Sequence, residues 1–285
     1  MKIITRVDEL REACKAAKAK GSVGLVPTMG ALHEGHGSLI KRCREENDTV
    51  VVSVFVNPIQ FAPGEDYEEY PRDIDKDGAF AESLGADIVF HPEPEEMYPE
   101  NFGFRVTPPE SMTHILCGIT RPIHFAGVAT VLAKLFHLVA PDRAYFGQKD
   151  VQQVAIVEAM VRDLNMDLTI VPCPIVREAD GLAKSSRNRY LNAEERKAAV
   201  VLSRSIKMAK AMVRDGERNV AALLAAVTKE IEAEPLAKID YVEILRFPHF
   251  ERDAELVEDS FIAMAVYIGS TRLIDNSFFR DDLKN

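Results

Sequence analysis

Short runs of β-branched and aliphatic residues alternate with stretches of helical period over the first two-thirds of the chain. Val23–Pro27, Thr49–Val56, Asp87–Phe90, Arg143–Phe146 and Leu168–Val176 read as strands. Several are nearly unbroken in Val, Ile and Leu, as expected of strands covered on both faces of a parallel sheet. Helices are expected at Gly37–Glu46, Lys76–Leu84, Ala129–Val139 and Val151–Asn165, and an amphipathic helix over residues 1–21. Alternating β and α predicts an α/β fold with an open, doubly wound parallel sheet of Rossmann-like kind. Ligands of such sheets lie beyond the C-terminal ends of the strands, so candidate chemistry belongs to the residues just after each strand.

The pattern changes near residue 188. Asn192 and Glu195 form a capping-box pair, and Leu202, Ile206, Ala209 and Val213 share one face of the long helix that should follow. Gly216 should stop it. A second helix is expected at Val220–Glu232, then two strands, Tyr241–Leu245 and Phe261–Ile268. The chain therefore divides into a larger domain, residues 1–187, and a smaller C-terminal α+β domain, residues 188–285. The proline-rich Glu93–Pro109 reads as an irregular surface excursion, and the acidic runs Glu65–Glu69 and Glu93–Glu96 as solvated loops.

Composition narrows the function classes. The 285 residues carry 28% charged and 47% hydrophobic residues, ordinary for a globular protein, and a net charge of -10, which lacks the basic footprint of a nucleic-acid binder. Cys14, Cys43, Cys117 and Cys173 have no C-x-x-C spacing and read as free thiols of a reducing, cytoplasmic compartment. No apolar run is long enough to span a bilayer and the N-terminus lacks a signal-peptide h-region, so no membrane association is expected. A polyphosphate ligand remains open where cations and backbone N–H groups converge.

Five stretches offer that convergence. After the first strand, Gly30 makes a turn and His33, Gly35 and His36 meet a helix N-terminus, where donors favour an anion. H-E-G-H is one residue short of the zincin pattern, so a metal site or plain surface histidines are the alternatives. Asn57 and Gln60 leave the second strand, although Asn-Pro also simply ends strands. Gly147, Lys149 and Asp150 follow a later strand; Lys149 offers a point charge for phosphate, Asp150 a partner for Mg²⁺ or ribose, and Gln153 follows one turn on. An ordinary βα loop is the bland alternative. Lys184, Ser185, Ser186 and Arg187 form a basic hydroxyl loop suited to a polyphosphate leaving group, or a solvated linker. Arg121 and His124 could reach the same cleft, unless His124 is a core residue.

H-x-G-H followed late by a K-S-S-R loop resembles the nucleotidyltransferase superfamily. The ordered set PTMGALHEGH, VSVFVNPIQF, RPIHFAGV, FGQKDVQQ, DGLAKSSRNRYL and STRLIDN is similar, over nearly the whole chain, to the pantothenate synthetase family. That resemblance implies ATP-dependent condensation of pantoate with β-alanine through an enzyme-bound pantoyl adenylate, a Mg²⁺ requirement and a homodimer. It implies an ATP site of Met29, Gly30, Ala31, Leu32, His33, Glu34, Gly35 and His36, with Gly147, Gln148, Lys149 and Asp150, and with Val176 and Lys184 to Arg187 closing over the nucleotide. His36 would be a proton donor or phosphate partner, acting with His33, Lys149 and Arg187. Gln60 and Gln153 would grip pantoate, with Asn57, Arg121 and His124 nearby, and the smaller domain would serve as a lid. Gln148, Lys184 and Cys117 depart from residues common in the family. The rival readings are an adenylyl- or cytidylyltransferase that keeps the nucleotide on its product, a zinc hydrolase, and a non-catalytic nucleotide-binding module.

Overall fold

Strands β1 (Lys2–Ile4), β2 (Val23–Thr28), β3 (Thr49–Val54), β4 (Ile88–Phe90), β5 (Arg143–Gly147) and β6 (Thr169–Cys173) form one parallel sheet in the order β1-β4-β3-β2-β5-β6. The coordinates are a computed structural model that describes residues 1–284. Alternating side chains serve two cores. Val23 and Leu25 of β2 pack with Leu10 of helix α1 (Val7–Lys18) and with Val128 and Leu132 of the helix His124–Val139. Val26, one step out of phase, packs with Leu39, Ile40 and Cys43 of α2 (Glu34–Glu46) and with Ala81 of α3 (Ile74–Ser83). Helices thus cover both faces, the doubly wound arrangement expected from the unbroken apolar strands.

Three local expectations change. Residues 2–4 are an edge strand, with Lys2, Ile3 and Ile4 registered on Ile88, Val89 and Phe90, and the first helix starts only at Val7. That pairing joins segments far apart in the chain, so no local period announces it. The helix expected from Ala129 begins at His124, because Gly127 allows it to lie against the turn Pro58–Gln60; a Cβ on Gly127 would sit 2.5 Å from the Gln60 Cα. Glu96 is no idle loop carboxylate: it accepts the Val7 N–H at 2.8 Å, at the start of α1.

The C-terminal part holds an antiparallel sheet, β7 (Ala237–Arg246), β8 (Ser260–Ile268) and β9 (Thr271–Phe278), in that order. The sequence predicts only the first two of these. β9 carries Arg272, Asp275 and Asn276, and this polar pattern hides its strand character; their partners lie on other segments. The capping box at Asn192 and Glu195 is present, but the helix after it breaks into Ala193–Ala198 and Val201–Arg214. Leu202, Ile206, Ala209 and Val213 are all buried on the sheet, and Gly216, at φ 105°, follows the helix end. Leu182, upstream of residue 188, belongs to the same core.

Candidate active site

Strand order reverses at β2: the chain runs out through β3 and β4, then returns to add β5 and β6 on the other side. The crevice beyond the C-terminal ends of β2 and β5 is where a doubly wound sheet binds ligands. A cavity of about 230 Å³ lies there. Met29, His33, Gly35 and His36 line one wall; Asn57 and Gln60 line another. Gly147, Lys149, Asp150 and Gln153 face them, and Val176 and Lys184 to Arg187 complete the enclosure.

The two histidines are held by each other's backbone. His33 is the N-cap of α2; its Nδ1 accepts from Gly35 N–H at 3.1 Å, and His36 Nδ1 accepts from His33 N–H at 3.3 Å. A ring nitrogen that accepts carries no proton, so both neutral imidazoles keep theirs on Nε2. Burial, then nearby Lys149, pushes His33 down to about 4; burial, then His33, pushes His36 down to about 3. Near neutrality they donate N–H hydrogen bonds and carry no charge. A neutral imidazole with its proton on Nε2 fits the part of phosphate partner expected of His36 as a hydrogen-bond donor and not as a charge. Part of the donor capacity expected at the helix N-terminus is spent on this reciprocal cap.

The turn before them is also committed. Ala31 and Leu32 N–H each donate at 2.8 Å to the buried carboxylate of Asp77, and Gly30 N–H donates to Thr28 Oγ1 at 3.1 Å. Gly30 (φ 89°) and Ala31 (φ 50°) are left-handed. Gly30, Ala31 and Leu32, expected to bind ATP, do not line the cavity, because their N–H groups turn to Thr28 and Asp77; nor does Glu34, whose carboxylate pairs with Lys184. Gln148 is likewise absent from the wall; its carbonyl accepts from Asn276 at 2.9 Å.

Gln60 is buried and its Nε2 lies 3.0 Å from Met29 Sδ. Asn57, expected to touch substrate, instead spends its amide on the protein. Its Nδ2 donates to Gln60 Oε1 at 2.9 Å and to the Gly127 carbonyl at 3.1 Å, and its Oδ1 accepts from Tyr98 at 2.6 Å. It seats Gln60. His124 is committed too: Nδ1 donates to the Gln60 carbonyl at 3.1 Å, and Nε2 accepts from Arg121 at 3.2 Å. Burial, then Arg121, pushes it down to about 3. Arg121 in turn pairs with Glu65.

The basic loop is less free than its sequence suggests. Lys184 bridges Glu34 at 2.9 Å and Glu178 at 3.2 Å, and the bond to Glu34 raises its pKa. Ser185 caps the turn Ser186–Tyr190, and Arg187 pairs with Asp66. Glu65 and Asp66, expected in a solvated loop, are the counter-ions of the two arginines. Tyr70, whose hydroxyl lies 3.4 Å from Ser186 Oγ, and Asp77 also escape sequence reasoning. Only the φ-demanding glycine hints that something braces the first turn.

A second cavity, about 410 Å³, adjoins the first and shares Lys149, Gln153 and Arg187 with it. Its far wall joins the short helix Cys117–Thr120 to the smaller sheet: Cys117 Sγ lies 3.2 Å from the Tyr241 hydroxyl and 3.7 Å from the Arg272 guanidinium. Among the described residues no three His, Cys, Asp or Glu side chains gather as a metal site, and no helix is long and apolar enough to cross a membrane.

A family model described as pantoate-beta-alanine ligase matches residues 2–278. Pantothenate synthetase of Ruminiclostridium cellulolyticum is 56% identical over 283 residues, 99% of this chain and 100% of that one. Its counterpart in Clostridium acetobutylicum is 53% identical, over 97% of this chain and 98% of the other. The crystal structure of pantothenate synthetase from Thermus thermophilus superposes with a TM-score of 0.94 at 46% identity, covering 98% and 99% of the two chains. That of pantoate-beta-alanine ligase from Francisella tularensis, complexed with beta-gamma ATP and beta-alanine, gives 0.81 at 33% identity over 98% of each chain.

Proposed function

The chain belongs to the pantoate-beta-alanine ligase family, and from that membership we propose that the β2–β5 crevice binds ATP beside pantoate and joins the acid to β-alanine. The protein is an ATP-dependent carbon–nitrogen ligase that condenses pantoate with β-alanine by way of a pantoyl adenylate, releasing pyrophosphate and AMP. The observation that carries the site assignment is that Gln60 and Gln153 line the same cavity as His33, His36 and Lys149. Uncharged amides suit a hydroxy acid, and the donor-rich wall suits phosphate.

In the first step the pantoate carboxylate attacks the α-phosphorus and pyrophosphate leaves. Gln60 and Gln153 orient the acid. Lys149 meets the transferring phosphoryl group, the Nε2–H groups of His33 and His36 donate to phosphate oxygens, and Lys184 to Arg187 receive the leaving pyrophosphate. Catalysis is positioning and stabilisation of developing charge, with no protein nucleophile. Mg²⁺ bound with the ATP phosphates would neutralise part of that charge; Asp150, which lines the cavity and caps no helix N–H, is the carboxylate that would hold it. In the second step the amine of β-alanine attacks the acyl carbonyl and AMP leaves. Residues 1–187 hold both substrates, and residues 188–285 cover them and keep water from the mixed anhydride. A homodimer and a cytoplasmic setting belong to the same proposal; the first rests on the family resemblance, the second on four free cysteines.

Pyrophosphate release from ATP and Mg²⁺ with pantoate, with and without β-alanine, while following AMP, tests the reading. Pantoate-dependent turnover to AMP that requires β-alanine is expected. AMP retained on the product, or no dependence on pantoate, would overturn it.

A further inference from the structure

The Ser270–Asn276 motif leads into and runs along β9, in the smaller sheet, yet two of its buried polar residues reach the nucleotide-facing loops. Asn276, 2% exposed, donates its side-chain amide to the carbonyls of Gln148 and Lys149, each at 2.9 Å. Asp275 accepts from Arg177 through both oxygens, at 2.7 and 2.9 Å. Arg177 also donates to the Gly181 carbonyl at 3.0 Å and pairs with Ala183 across the base of a hairpin. That hairpin runs on into Lys184, whose N–H donates to the Val176 carbonyl, and then to Ser185–Arg187. Successive residues of a strand face opposite sides, so one strand grips the Lys149 turn with one side chain and the Lys184 hairpin with the next. Leu182 anchors the same hairpin in the core of the smaller sheet.

An amide that donates to two consecutive carbonyls fixes the plane and height of that turn, and with it the Lys149 Cα. A bidentate carboxylate–guanidinium pair does the same for the hairpin. We infer that Asp275 and Asn276 are positioning residues for adenylation: they set the spacing between Lys149 and the Lys184–Arg187 loop, so that both bear on the polyphosphate from a single strand. The hairpin is tied to the smaller sheet through Arg177 and Leu182 and is not an independent flap. The inference rests on the ligase reading and goes beyond it in giving the smaller sheet a part in the first half-reaction.

The test separates the half-reactions in the full chain. Pantoate-dependent ATP–pyrophosphate exchange reports adenylation, and single-turnover transfer from preformed adenylate to β-alanine reports the second step. In Asn276→Ala, exchange falls roughly tenfold to a hundredfold with a raised KM for ATP, the size expected when a loop is misplaced by about 1 Å. The KM for β-alanine and the transfer rate stay within about twofold. Asp275→Asn, which keeps the shape and loses the charge, shows the same split and carries the test should Asn276→Ala fail to fold. Unchanged exchange and ATP KM overturn the inference. So does a parallel fall of both half-reactions with no KM change, which marks only a smaller folded fraction. Absence of pantoate-dependent exchange in the unaltered chain would instead remove the ligase reading itself.

Discussion

Arg187 meets Asp66 through two hydrogen bonds, Nε to Oδ2 at 3.0 Å and Nη2 to Oδ1 at 2.9 Å, and of the two only Arg187 lines both cavities. The guanidinium is therefore neutralised before any phosphate arrives, so a polyphosphate bound as proposed would compete with a carboxylate for it. Asp66→Asn removes the competitor. Pyrophosphate, measured as a product inhibitor, should bind about fivefold more tightly, corresponding to ~1 kcal/mol for a partly exposed pair. Weaker inhibition would mean that Asp66 orients Arg187 more than it competes for it.

Asn57 acts through Gln60. Asn57→Ala removes the donor to Gln60 Oε1 and leaves the Gly127 carbonyl without its amide. The KM for pantoate should rise about tenfold in Asn57→Ala and in Gln60→Ala alike, a change of about 1.4 kcal/mol. Because the residues form one unit, the double variant should add little to either single one. Steady-state kinetics on the four proteins checks this; simple additivity would place Asn57 in contact with substrate on its own.

Asp77 braces the turn that delivers the histidines. Asp77→Ala would leave the Ala31 and Leu32 N–H groups without acceptors beside a left-handed turn. Unsatisfied buried donors cost about 1–3 kcal/mol each, so urea unfolding should show a loss of about 2–4 kcal/mol. Adenylation should fall with it. Asp77→Asn, with one acceptor oxygen left, should lie between. Full stability in the alanine variant would show that water replaces the carboxylate without cost.

The three half-buried histidines of the crevice impose a pH dependence of stability. Each titrates in the unfolded chain near its ordinary value of 6.5, but in the fold only at about 4 for His33 and about 3 for His36 and His124. The unfolded state thus binds more protons as pH falls. Their contribution is fully present above pH 6.5 and is lost as pH drops from there toward the folded values. Denaturant unfolding of the parent and of His124→Gln between about pH 7 and pH 4.5 should give a shallower decline in the variant. Equal slopes would show that His124 protonates freely in the fold.

Local sequence determined the sheet type and the location of the crevice. The unbroken apolar run of β2, the glycine that turns it and the capping box of α2 are neighbours in the chain, so their geometry is set within a few residues. The same holds for the Asn192–Glu195 cap and the apolar face from Leu202 to Val213. Tertiary structure decided which charges are free. Arg187 meets Asp66 across 121 positions, Ala31 meets Asp77 across 46, and Arg121 meets Glu65 across 56. A carboxylate run has the same local pattern whether it faces water or an arginine, and the burial that makes the histidines neutral arises only when both walls of the crevice are present.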